Sequence, residues 1–392
     1  MLGSLKSNTV STGLAMFSMF FGAGNIVFPL AIGVATKQNN HYAIIGLLLS
    51  AVLVPFLGLI SMTVFDGNYR AFFSRIGTIP GMIVATLILA LIGPFGALPR
   101  CIALSYATVQ LFVPATSLIW FSLGSCVLIF LLTFRQSKIL DILGFVLTPL
   151  LLISLLLIVG FGIMESPGIP AATTSPREAF TMGFLDGYQT MDLIGAFFFS
   201  SMVLICLQRE LDPAGARPYH QLVILALKAS IIGAGLLALF YMGFSYVAAF
   251  NADALEGVTP QALLGTLALK TLGPSAGIIA CTAAALACLT TAIALAAVFA
   301  QFLYHDVFRE TLNYPTSLIV TLVISFLIST WEFTGIAAML QPILQICYPA
   351  LIVLAIVNLL SKLTDFVWIK TPVYLTFLAS LVVYLWNNPF TT

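Results

Sequence analysis

"FFGAGNIVFP", residues 20–29, lies inside the first long apolar stretch of the chain. A helix crossing a bilayer must satisfy its backbone internally, yet this stretch sets Gly22, Gly24 and Asn25 near its middle and Pro29 just beyond. Gly favours other backbone conformations, Asn is costly in hydrocarbon and Pro removes a backbone donor. Clustered in eight residues, they mark a helix that is meant to break. The surroundings fix the medium. The 392 residues are 60% hydrophobic and 7% charged, with mean hydropathy +1.10, whereas a soluble domain is about 25% charged. The chain reads as an all-α polytopic membrane protein with the lipid bilayer as its solvent. Its net charge of +1 gives no field suited to nucleic acid.

The six cysteines lie in apolar segments without paired spacing and read as packing residues. His41, His220 and His305 fall in or near loops, which argues against a buried metal site. No cleavable signal is expected, because residues 1–10 are short and polar and the apolar run after them is broken.

Stretches of about 20 apolar residues are the unit of a membrane helix. Eleven are read: 9–36, 42–65, 80–113, 117–134, 139–164, 178–207, 218–250, 275–304, 314–331, 336–360 and 366–387. The longer ones imply tilt, kinks or flanking interfacial helices. Residues 260–272 form a candidate short helix in the loop before span eight. With the N-terminus in the cytoplasm, that side carries Lys6, Arg70, Arg75, Arg135, Lys138, Arg209, Arg217, Lys228, Arg309, Lys362 and Lys370. The opposite side has Lys37, Arg177 and Lys270. This asymmetry follows the positive-inside rule and predicts a cytoplasmic N-terminus. The remaining cation, Arg100, sits deep in span three in "GPFGALPR", and its obvious partner is Asp192 in span six. A structural ion pair is the preferred reading over direct substrate contact, with proton carriage by Asp192 an open variant.

Span six has its own interruption, "LDGYQTMDLIG" at 185–195. Spans one and six therefore each begin a block of five, and an odd block reverses topology. Repeat one is about 9–164, repeat two about 178–361, and an extra C-terminal helix about 366–387, all within a single transmembrane transporter domain. Discontinuous helices at matched positions of inverted repeats point to a binding site at the midplane. Unpaired N–H ends suit a carboxylate and carbonyl ends suit a small cation. Gly and Pro are also ordinary in membrane helices as packing and kinking residues. It is the two matched clusters, each mixed with uncharged polar residues, that outweigh this. In span eight, Thr290 and Thr291 with Ala287 one turn earlier offer oxygens for a hard monovalent cation. Taken alone they read better as helix packing.

These residues resemble the branched-chain amino acid:cation symporters, the BrnQ-type carriers. The matching stretches are "FSMFFGAGNIVFPLAIG", "IGPFGALPR", "GFLDGYQTMDLIGAFFF", "ACLTTAIALAAVFAQF" and "PILQICYPALIVL". The resemblance implies the leucine-transporter-type five-plus-five inverted-repeat fold of the APC superfamily, with about eleven helices and helices one and six discontinuous. Typical members have twelve spans, and the twelfth lies outside the ten-helix core. The resemblance also implies import of Leu, Ile and Val, with Met a further candidate, coupled to Na+ or in some cases H+. It gives Gly22, Ala23, Gly24 and Asn25 a role with the substrate carboxylate and a cation. Tyr188, Gln189 and Thr190 would face the amino group and side chain, with Met191 and Ile194 offered for the aliphatic pocket. Ser18, Phe21, Ala287, Thr290 and Thr291 would hold sodium. No covalently bound cofactor is implied, and the setting is the bacterial cytoplasmic (inner) membrane.

A channel needs a continuous polar stripe, whereas polarity here is clustered. An intramembrane enzyme needs a nucleophile–base pair or metal ligands within the spans, and neither GxSxG nor HExxH is present. Remaining alternatives are a transporter of the same fold with another substrate or proton coupling, and a non-transporting receptor.

Overall fold

The computed structural model describes residues 2–134, 147–164, 168, 170–171, 174–211, 219–273, 276–364 and 366–387. The first eight residues of span five (139–146), with Arg135, Lys138 and Arg217, lie outside these. In chain order the helices are α1 (Leu2–Phe20), α2 (Ala23–Thr36), α3 (Asn40–Leu48), α4 (Val54–Thr63), α5 (Tyr69–Phe73), α6 (Thr78–Ile92), α7 (Ala97–Phe112), α8 (Leu118–Thr133) and α9 (Thr148–Met164). They continue with α10 (Pro176–Gln189), α11 (Asp192–Leu211), α12 (Tyr219–Phe250), α13 (Ala252–Leu255), α14 (Leu263–Leu272), α15 (Ala276–Phe302), α16 (Tyr314–Ser329), α17 (Glu332–Leu363) and α18 (Lys370–Asn387). Helices occupy every one of the eleven apolar stretches, and α14 is the short helix expected at 260–272.

The packing repeats itself with a five-span offset. The two halves of span one, α1 and α2, both pack on α12, while the halves of span six, α10 and α11, pack on α3 and α4. Helix α9 packs on α15, and its counterpart α17 packs on α7. Helix α12 packs on α9, and likewise α4 on α17. The pairs α7–α15 and α8–α16 map onto themselves. This is the contact pattern of two copies of one five-helix unit related by an inversion in the membrane. At the centre stands α15, whose most apolar window is 83% buried, against 33% for α12. Outward-facing side chains such as Ile79, Trp120 and Ile278 stay exposed, as lipid-facing residues must.

Local sequence explains the ends. Helix α10 starts at a capping box: the Ser175 hydroxyl accepts from Glu178 N, the Glu178 carboxylate accepts from Ser175 N, and Pro176 follows at the first turn. Helix α16 starts the same way, with Asn313 Oδ1 accepting from Thr316 N at 2.9 Å. Span three, one of the long stretches that imply tilt, kinks or flanking helices, is interrupted at Gly93–Gly96, between α6 and α7. The breaker is "GPFG", where Pro94 lacks a donor and Gly96 approaches the Leu91 carbonyl too closely for any side chain. In span two a π-helical turn at Leu49–Leu53 precedes Pro55, where the missing N–H disturbs the regular ladder.

Helix pairs approach through small residues. A Cβ placed on Gly183 would lie 1.9 Å from the Ala43 carbonyl, and one on Gly187 would lie 1.9 Å from Ser50 Oγ. These two, spaced as small-xxx-small, seat α10 against α3. Gly183→Ala must therefore displace backbone, and overpacking costs roughly 1–3 kcal/mol or more. It is expected to lower the thermal unfolding temperature of the detergent-purified protein by several degrees. Gly124→Ala, where a Cβ meets nothing within 4 Å, is expected to leave that temperature unchanged or slightly raised.

Candidate functional site

The first break is shorter than the sequence implies. Helix α1 ends at Phe20 and α2 begins at Ala23, so Phe21 and Gly22 alone leave the helix. Ala23, Gly24 and Asn25 are not unwound; they form the first turn of α2, and Asn25 Oδ1 folds back to accept from Gly22 N at 3.3 Å. This outcome follows from economy. Two residues suffice to free the donors of a helix N-terminus, and each further residue would leave more backbone to satisfy. Span six behaves alike. Tyr188 and Gln189 belong to the last turn of α10, Thr190 caps it with its hydroxyl on the Gly187 carbonyl (2.8 Å), and α11 restarts at Asp192. Between them Met191 takes φ +63°, a left-handed conformation costing about 1–2 kcal/mol for a residue with a Cβ.

The two breaks are joined to each other. Asn25 Nδ2 donates to both carboxylate oxygens of Asp192, at 3.0 and 2.9 Å. Tyr241 of α12 donates its hydroxyl to Asp192 Oδ2 at 2.6 Å and itself accepts from Asn25 Nδ2. All three are buried. The carboxylate also stands at the N-terminal end of α11, where the helix dipole favours negative charge.

Arg100 and Asp192 do not form the expected ion pair; among the described residues no carboxylate lies within 4.0 Å of Arg100. The reason is that each charge is held by a different helix end. Arg100 Nη2 donates to the Gln189 carbonyl at 2.6 Å, at the C-terminal end of α10 where the dipole favours a cation. The rings of Phe28 and Phe333 flank the guanidinium at 5.4 and 5.3 Å. A Cβ on Gly24 would fall 2.4 Å from Nη2, so only glycine lets α2 come this close. Arg100 Nε and Nη1 have no hydrogen-bond partner.

On α15 the Thr291 hydroxyl donates to the Ser18 carbonyl at 3.2 Å, and the Thr290 hydroxyl donates to the Ala287 carbonyl at 3.0 Å. The first of these pairs joins α15 to the end of α1, and the second lies within α15. The donor set is all oxygen, which fits a hard monovalent cation. Phe21, the fifth residue of that expectation, donates its N–H to the Phe17 carbonyl at 2.8 Å.

One cavity of about 30 Å³ gathers much of this. Its walls include Gly22, Ala23, Gly24, Asn25, Arg100, Thr190, Met191, Asp192 and Thr291. Tyr188, Gln189 and Ile194 are not on its wall; the Tyr188 ring packs on Tyr348 at 4.7 Å. Such a volume holds a water or two and no amino acid, so the site is contracted in this conformation. Sequence reasoning missed Tyr241, Phe199, Ile92 and Leu295. Only Tyr241 carried a signal, as a phenol amid an apolar span. Asp186 was passed over, and it lines a wider open cleft of about 590 Å³ with Arg177, Glu178, Gln341 and Gln345.

The family described as "Branched-chain amino acid transport protein" matches residues 5–391. The branched-chain amino acid permease BrnQ of Bacillus subtilis is 31% identical over 366 residues, 91% of this chain and 82% of that protein. That of Corynebacterium glutamicum is 30% identical with the same coverage. Among solved structures, the nucleobase-cation-symport transporter Mhp1 with bromovinylhydantoin bound superposes with TM-score 0.63 at 14% identity, covering 98% of this chain and 94% of that one. MhsT in complex with L-phenylalanine gives TM-score 0.63 at 14% identity, covering 96% and 98%. The fold is the leucine-transporter type, in an integral multi-pass membrane protein.

Tyr241→Phe removes a donor from a buried carboxylate, a loss of about 1–3 kcal/mol. The variant is expected to unfold several degrees lower than the parent in a detergent thermal melt, with its helix content by circular dichroism unchanged.

Proposed function

Because this chain belongs to the family of branched-chain amino acid transport proteins, we propose that it imports leucine, isoleucine and valine across the bacterial cytoplasmic membrane by symport with sodium. As its relatives are named permeases, it is a transporter and not an enzyme. The observation that carries the proposal is the convergence of two broken helices and Thr291 of α15 on one contracted cavity. The Ala23, Gly24 and Asn25 amides at the start of α2 suit a carboxylate. Carbonyls at the end of α10, with Thr190, suit the ammonium group, and apolar wall residues including Met191 suit a branched side chain. Ser18, Phe21, Ala287, Thr290 and Thr291 are the residues proposed to hold the sodium ion that travels with the substrate. One methylene in such a pocket is worth about 1–3 kcal/mol, so overlapping use of several aliphatic amino acids, with methionine among them, is expected.

Alternating access supplies the mechanism. Spans one, two, six and seven rock as a unit against spans three, four, eight and nine, exposing the cavity to one side and then the other. The tight packing of α1 and α2 on α12, and of α10 and α11 on α3 and α4, supports that division. On the side assigned to the cytoplasm, α5, between spans two and three, is tied to the end of span eight: Arg70 pairs with Asp306, which also accepts from the Tyr69 hydroxyl. This tie is expected to part when the inner side opens. An inward field of 100 mV gives roughly 2.3 kcal/mol per charge, enough for well over tenfold accumulation. Proton coupling through Asp192 is the second reading, favoured by a buried carboxylate whose hydrogen-bond partners, Asn25 and Tyr241, are neutral.

Radiolabelled leucine uptake into proteoliposomes, with sodium and proton gradients imposed separately, tests both. Accumulation that requires the sodium gradient is expected; accumulation on a proton gradient alone would move the coupling to Asp192. Thr290→Ala with Thr291→Ala is expected to abolish the sodium dependence in a folded protein, and unchanged sodium-stimulated uptake would remove the site assignment. Asp306→Asn is expected to raise the reactivity of a cysteine placed at the cytoplasmic end of span one toward a membrane-impermeant thiol reagent by several-fold.

A further inference from the structure

Arg100 is left over from this account. It is the one buried cationic side chain among the described residues, 2% exposed, and it lines the cavity. Its single hydrogen bond uses one hydrogen of Nη2, on the Gln189 carbonyl, while Nε and Nη1 have no partner. Buried cationic donors are seldom left idle, because water is absent and the desolvation cost is then unrecovered. Phe28 and Phe333 steady the guanidinium by their faces but cannot accept in its plane. No carboxylate of the described residues lies within 4.0 Å. Among the described residues nothing accepts from the free edge of this planar fork.

We propose that Arg100 is a substrate-binding residue whose guanidinium takes the α-carboxylate of the transported amino acid. The inference rests on the amino-acid reading of the cavity given above and adds the group that supplies the charge. Whichever hydrogen of Nη2 is given to Gln189, one edge of the fork keeps two parallel N–H groups, the arrangement that matches a carboxylate. Gly24 brings the first turn of α2 against this same guanidinium, so its amides and Arg100 converge on one anion. Asp192 lines the same cavity, clasped by Asn25 and Tyr241. A zwitterion placed between them meets a cation at its carboxylate and an anion at its ammonium group. Two charges held apart by helix ends, with no direct contact, leave room for a ligand that carries both signs.

The test compares leucine with leucinol, the amino alcohol that lacks the carboxylate, binding to the full-length detergent-purified protein by calorimetry. Wild type is expected to prefer leucine by about a hundredfold or more. Arg100→Gln is expected to bring the two within about tenfold, chiefly by weakening leucine, with the fold checked by thermal unfolding and size exclusion. A folded Arg100→Gln that keeps the wild-type preference overturns the proposal. Should that variant fail to fold, Arg100→Lys decides: leucine weakened tenfold or more with leucinol unaffected supports it, and unchanged leucine affinity overturns it. A wild-type preference below about tenfold overturns it without any variant. Wild type that binds leucine with a chloride dependence that Arg100→Gln removes, while the preference over leucinol persists, assigns the fork to an inorganic anion and also overturns it. Wild type that binds none of leucine, isoleucine or valine removes the substrate class itself, and this inference with it.

Discussion

A helix opened inside a bilayer has no water to satisfy its backbone, and this constraint shapes the whole centre of the protein. Two helices are opened, and each is repaired largely by the other's neighbourhood. The Gln189 carbonyl at the end of α10 receives Arg100, the Ser18 carbonyl near the end of α1 receives Thr291, and Gly22 N is taken back by Asn25. The Asn25–Asp192 contact then ties the start of α2 to the start of α11. Each interruption is held to two residues, because a wider gap would leave groups that nothing nearby could pair. A substrate entering here would replace temporary internal partners with its own charged ends.

Much of this architecture is legible in the residues. Composition alone identifies the medium, and the glycine–asparagine and glycine–glutamine–threonine clusters mark both interrupted helices. The position of one cluster five spans after the other yields the inverted repeat. Thr290 and Thr291 on span eight carry a signal only beside the first break, and there the structure sets one of their hydroxyls on Ser18. What was not legible has a common cause. Sequence shows which residues are out of place in hydrocarbon, but not which helix end each one faces. Arg100 and Asp192 look like partners because each lacks any other charged neighbour. In the fold, the oriented dipoles of half-helices stabilise both separately, and those dipoles appear only once the breaks are located to the residue. Tyr241 illustrates the other limit, since a phenol in an apolar span is ordinary until its hydroxyl is found against a carboxylate.

The third interruption, at Gly93–Gly96, belongs to the same logic. Arg100 follows it by one turn of α7, and a straight span three would carry that turn in another direction. The "GPFG" breaker thus aims the guanidinium, and the two aromatic rings keep it from turning away. A similar economy governs the polar residues of α16, where Ser317, Thr321 and Ser325 have their hydroxyls tied to neighbours on the helix. Polarity inside a membrane protein is informative when it crosses between helices, and much less so when it is consumed within one.

Gly187 seats against Ser50 at the level where span two takes its π-helical turn, and four residues later span six reaches the left-handed Met191. Two adjacent helices therefore carry irregular backbone close together, with the Ser50 side chain filling the space that Gly187 leaves. The close approaches at Gly183 and Gly187 fix one helix against the other. The irregular backbone of spans two and six is therefore gathered on one packed seam, close to the residues that line the cavity.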